Sequence, residues 1–115
     1  MICQTPHCKS EFHAYWDDLL GPANLSAALR ISAQLNALPK PTGADIADVH
    51  VWVQEGFQLA KDEVYQPPIS SDEPNSAVGI PDKAYHDRAK KVAQSQVLLA
   101  GYRLAGLLNR SLQSK

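Results

Sequence analysis

The chain has 115 residues, 44% of them hydrophobic and 20% charged, with a formal net charge of −1. That length holds one small domain. The near-neutral balance gives no electrostatic footprint for gripping a long phosphate backbone, and no apolar run approaches the ~20 residues that would span a bilayer.

Met1-Ile2-Cys3-Gln4 has neither the charged n-region nor the apolar h-region of a secretory signal. This leaves a cytosolic protein, or a gene product whose true beginning lies upstream of Met1. Cys3 and Cys8 are close enough for a short disulfide loop, which needs an oxidising compartment, or they are two free thiols. Their spacing is not the C-x-x-C of zinc sites.

Helical periodicity runs through the chain. In the first helix Phe12, Trp16, Leu19 and Leu20 follow the i, i+4, i+7, i+8 pattern of one buried face. Ser10 is its expected N-cap and Gly21-Pro22 its stop. His13 and Asp17 sit four residues apart, on one face beside that stripe. An imidazole and a carboxylate so placed can converge on one zinc ion, or they can form an ordinary side-chain pair. Zinc needs three or four protein ligands, and this segment supplies two. Asp18 points about 100° away and does not replace a third. His7 is either a further ligand or a loop histidine.

Asn24 is the expected cap of a second helix, with Ala28, Ile31, Leu35 and Leu38 as its stripe. Pro39-Lys40-Pro41-Thr42-Gly43 ends it. A third helix runs from near Asp45 or Asp48 to Tyr65, with Val49, Trp52, Val53, Phe57, Ala60 and Val64 inward. Gly56 within it costs roughly 0.5–1 kcal/mol relative to alanine. His50 reads as surface. Residues 66–81 carry four prolines and no periodicity, as in an exposed, mobile loop.

Asp82 caps a long last helix through about Leu112, with Tyr85, Ala89, Val92, Val97, Ala100, Leu104, Leu107 and Leu108 as its stripe. Gly101 and Gly106 there indicate either close approach of another element or simple tolerance. His86, Asp87, Arg88, Lys90 and Lys91 form a charged outer face. Trp16, Trp52 and Tyr85 are core candidates before they are base-stacking platforms. The fold class is all-α, with four helices. The last helix, roughly 45 Å long at 1.5 Å per residue, outreaches partners of about 15–27 Å. Part of its apolar stripe therefore faces water unless other protein covers it. The chain reads as part of a larger helical domain.

Three segments in order carry a more specific signal. The first is Cys8-Lys9-Ser10-Glu11-Phe12-His13-Ala14-Tyr15-Trp16-Asp17. The second is Trp52-Val53-Gln54-Glu55, continuing to Leu59-Ala60 and Val64-Tyr65. The third is Ala100-Gly101-Tyr102-Arg103-Leu104-Ala105-Gly106-Leu107-Leu108-Asn109. Together they resemble the zinc-dependent single-strand nucleases of the S-one/P-one type. That family shows Asn-Leu-His-x-x-Trp-Asp, then Trp-x-x-Glu-Ser ending in Val-Tyr, then Ala-Gly-x-Arg-Leu-Ala-x-Leu-Leu-Asn. Gly56 stands where the family usually has serine.

The resemblance implies the C-terminal part of a phospholipase C/nuclease-like helical domain. Family members are roughly twice as long or more, and carry three zinc ions held mostly by residues upstream of the matching region. Carried over residue by residue, His13 and Asp17 become two ligands of one zinc, with a further histidine supplied from elsewhere. The family's activity would be hydrolysis of single-stranded DNA or RNA to 5′-mononucleotides, in a secreted or periplasmic setting. With two ligands alone, the chain would be inactive by itself. The competing reading is a metal-free helical remnant that serves as a packing or interaction module.

Overall fold

The computed structural model describes residues 9–69 and 81–113, with side chains from Phe12 onward. These residues are all-α, with no strand among them. Helix α1 spans Lys9–Asp17, α2 Leu25–Asn36, α3 Val49–Leu59 and α4 Lys83–Gln113; a π-helical turn, Ala60–Val64, prolongs α3. Cys3, Cys8 and His7 lie outside the described residues.

Local capping chemistry sets most of the boundaries. Asn24 Oδ1 accepts from the Ala27 backbone N–H at 2.9 Å, Asp48 Oδ1 from that of His50 at 2.9 Å, and Asp82 Oδ1 from that of Tyr85 at 2.8 Å. Each satisfies an otherwise orphaned donor in a first helical turn. Ser10 is not a cap, because α1 already includes Lys9. A turn over residues 18–20 follows α1, and Gly21 takes φ +114°, a left-handed conformation that suits glycine.

Two packing centres lie along α4. In the first, Leu19, Ile69, Tyr85 and Ala89 are buried, and Phe12, Tyr15, Trp16 and Ala93 pack against them. The Trp16 and Tyr15 rings lie 6.2 and 6.3 Å from that of Tyr85, and Phe12 sits 6.1 Å from Tyr65. The Tyr85 hydroxyl donates to the Val64 carbonyl at 2.6 Å, fastening α4 to the π-helical turn. Burial pushes this phenol up to about 12, against smaller opposing effects of Trp16 and Arg88. Ile69 falls inside the segment read as an exposed loop, and it is buried; residues 70–80 of that segment lie outside the description.

The second lies where Arg103 of α4 meets Glu55 of α3 and the Gly43 carbonyl; Ala27 and Leu35 of α2, Ala44 and Leu99 are also buried. Arg103, 9% exposed, places Nη2 2.7 Å from Glu55 Oε2 and 3.0 Å from Oε1. Its Nε and Nη2 also donate to the Gly43 carbonyl at 3.4 and 3.2 Å, and its guanidinium lies 5.1 Å from the Trp52 ring centre. The Trp52 indole N–H donates to the Ile46 carbonyl at 2.8 Å.

This ion pair corrects the inward face of α3. Glu55 must reach Arg103, so Trp52 and Leu59 turn toward the core, and Val49, Val53 and Phe57 are exposed. On α2 Leu35 is buried as expected and Ile31 half-buried, but Ala27 is buried in place of Ala28, and Leu38 is exposed. On α4 the buried positions are Tyr85, Ala89, Leu99 and Arg103, whereas Val97, Ala100, Leu104, Leu107 and Leu108 face solvent. The expected uncovered stripe is therefore present. The molecule measures 54 × 33 × 23 Å with a radius of gyration of 16.5 Å, against about 13 Å for a compact chain of this length.

Candidate metal centre

Helix α1 divides its residues between two tasks. Phe12, Tyr15 and Trp16 pack toward α4 and fix the helix, leaving the next sector to His13 and Asp17. Both are open to solvent, with side chains 82% and 63% exposed, and His13 Nε2 lies 3.1 Å from Asp17 Oδ2. Two donors on one tetrahedral zinc, with bonds of ~2.0–2.1 Å, stand about 3.3 Å apart. The pair thus has the separation of one edge of a zinc tetrahedron, which is equally that of a direct i,i+4 contact between the two side chains. Nitrogen and carboxylate oxygen are both zinc donors, and among the described residues both side chains remain open to solvent. The residues present fit a shared metal as two of its ligands.

They do not complete its shell. Among the described residues no third His, Cys, Asp or Glu joins the pair; Asp18, the neighbour in sequence, is exposed. Asp17 also stands at the edge of a groove of about 440 Å³, whose walls include Trp16, Gly56, Leu59, Val92 and Val97. Gly56 contributes to that opening, since a Cβ there would meet nothing within 4 Å.

The other sequence candidates lie elsewhere. His50 is exposed in the first turn of α3. His86 is exposed on α4, and its Nδ1 lies 2.9 Å from the Tyr15 hydroxyl, on the flank of α1 opposite His13 by helical geometry. Burial raises the Tyr15 phenol above its ordinary value. The charged face of α4 is largely paired: Lys83 with Asp87 at 2.7 Å and Arg88 with Glu63 at 3.8 Å. The hydrogen bond to Asp87 raises the Lys83 ammonium, and the same bond lowers the Asp87 carboxyl. Trp16, Trp52 and Tyr85 all serve packing. Sequence reading did not pair Arg103 with Glu55, although both residues stand in the motifs that carry the family resemblance.

No membrane-crossing helix occurs among the described residues. The family model described as S1/P1 Nuclease matches residues 2–113. Neither the curated proteins nor the solved structures gave a match. With that match running through nearly the whole sequence, across the His13–Asp17 helix and the Arg103 segment alike, the chain belongs to the S1/P1 nuclease family.

Proposed function

We propose that the chain supplies the His13–Asp17 arm of a zinc site in a nuclease that hydrolyses single-stranded DNA or RNA to 5′-mononucleotides. The observation that carries this reading is the exposed donor pair, 3.1 Å apart on a helix anchored by Phe12 and Trp16. When bound, zinc acidifies water and neutralises charge on phosphoryl oxygens. The work of this chain is to hold two donors at a fixed spacing and to keep their helix seated against α4. A further histidine ligand comes from outside the described residues, and the 115-residue chain by itself does not cleave. A secreted or periplasmic setting belongs to the same reading.

The test combines elemental analysis for zinc, a zinc-competition titration and digestion of single-stranded DNA by the isolated chain. Weak zinc binding that drops further in His13→Ala, with thermal stability little changed, supports the ligand role. Unchanged zinc affinity in that variant supports the metal-free packing module instead. Stoichiometric zinc with rapid cleavage by the isolated chain would refute the inactivity.

A further inference from the structure

Helix α1 is nine residues long, and an isolated helix shorter than ~12–15 residues is marginal in water. Its seat on the rest of the molecule therefore decides whether His13 and Asp17 stay 3.1 Å apart. That seat is shallow. Among the described side chains of α1, Phe12, Tyr15 and Trp16 are half-buried and none is buried outright. Their rings meet Tyr65 and Tyr85 at 6.1 to 6.3 Å between centres, with interplanar angles from 39° to 83°. Apolar contact of this kind is non-directional and lets a short helix roll about its own axis.

One contact in the seat has direction. The Tyr15 hydroxyl stands 2.9 Å from Nδ1 of His86, and the two rings lie edge to face at 5.9 Å. With the imidazole hydrogen on Nε2, Nδ1 accepts from the phenol O–H. At 3.6 residues per turn, Tyr15 lies about 160° around α1 from both His13 and Asp17. The packing line of Phe12, Trp16 and Leu19 runs between the two flanks, so a tie at Tyr15 checks any roll of the donor pair. Side-chain tips stand about 5–6 Å from a helix axis, and a roll of about 10° carries them about 1 Å. Metal sites hold their ligand distances within about 0.2 Å.

We propose that His86, acting through Tyr15, is a positioning residue for the His13–Asp17 arm: its Nδ1 holds α1 at one rotation and keeps the donor pair formed. The inference rests on the zinc-ligand reading of that pair. Consecutive residues of α4 then divide the fastening of the molecule's near end. Tyr85 ties α4 to the π-helical turn through the Val64 carbonyl, and His86 ties it to α1. A ligand arriving from elsewhere meets His13 and Asp17 at one fixed place only while the second tie holds.

Zinc titration of the 115-residue chain, followed on the His13 imidazole resonances by NMR, tests this. Tyr15→Phe and His86→Leu should each weaken binding at His13 about five-fold, as loss of one hydrogen bond implies. The double variant should lose no more than either alone, because both remove the same bond. His86→Asn, whose Oδ1 takes the place of Nδ1 as acceptor, should stay within about two-fold of wild type. Cobalt in place of zinc reports the rotation. Its paramagnetic shifts at the Gly56 and Leu59 amides, which share a groove with Asp17, should change in Tyr15→Phe and keep the wild-type pattern in His86→Asn. A role in stability alone would leave that pattern as it is in every variant, and this result overturns the proposal. If Tyr15→Phe failed to fold, His86→Leu decides, because that side chain is exposed on α4. Additive losses, or His86→Asn as weak as His86→Leu, also overturn it. His13→Ala, measured by zinc competition, separates the two readings. Should it weaken binding while Tyr15→Phe and His86→Leu bind as wild type, the positioning falls and the ligand role stands; should it change nothing, both fall.

Discussion

Replacing Arg103 by methionine keeps an apolar stem and removes the guanidinium. The variant loses the Glu55 contacts at 2.7 and 3.0 Å, the Gly43 carbonyl contacts at 3.2 and 3.4 Å, and the approach to Trp52 at 5.1 Å. Breaking a buried pair by deleting one partner costs about 3–5 kcal/mol, because the other charge is stranded. Glu55 is 32% exposed, so water recovers part of that penalty, and the expected loss is about 2–3 kcal/mol. At ~4–8 °C per kcal/mol for a domain near this size, the midpoint falls by about 8–24 °C. Thermal melts followed by circular dichroism measure the midpoint, and urea melts at the same fixed protein concentration measure the free-energy loss. Two companion variants make the reasoning specific. Arg103→Met with Glu55→Leu should regain most of the loss, since no charge is left unpaired. Arg103→Lys should regain less than half, because one ammonium cannot serve Glu55 and Gly43 as a fork does. A loss below about 0.5 kcal/mol, or a double variant no more stable than Arg103→Met, refutes the assignment of this pair as the tie between α3 and α4.

Asn24→Ala and Asp82→Ala should each cost about 1 kcal/mol in the same melts, as lost N-caps do. Gly56→Ala should stabilise by roughly 0.5–1 kcal/mol, since its new methyl meets open space on a helix. Gly43→Ala should destabilise by about 1 kcal/mol or more, because φ is +87° and the added Cβ would sit 3.4 Å from Arg103 Nη2. Above pH 10 the unfolded chain releases tyrosine protons that folded Tyr85 keeps until about 12, so stability present below pH 10 is lost as pH rises through that window. Tyr85→Phe should flatten this alkaline slope, and its melts at pH 7 should show about 1–2 kcal/mol lost with the bond to Val64.

Where apolar spacing and burial coincided, the fold was legible. Phe12, Trp16 and Leu19 pack as their spacing indicates, and the caps at Asn24, Asp48 and Asp82 follow directly from side-chain chemistry. Periodicity misled on α3 because it counts apolar residues only. Val49, Val53 and Phe57 form a convincing stripe, yet the Arg103 contact, 48 residues away in sequence, rotates Glu55 inward instead. The same contact draws the inward line of α4 through Leu99 and Arg103 and leaves Leu104 and Leu108 outside. No local signal announced the π-helical turn at Ala60–Val64. The His13–Asp17 pair was readable from spacing alone, because i,i+4 neighbours on any helix must meet. A ligand shell gathered from distant segments has no such local signature.

The separation of labour on α1 has an evolutionary consequence. Since neither the imidazole of His13 nor the carboxylate of Asp17 is enclosed by the fold, mutation can erase or restore either one while the scaffold survives. Descendants of such a scaffold are free to trade chemistry for other uses, and their shape alone will not betray which have done so.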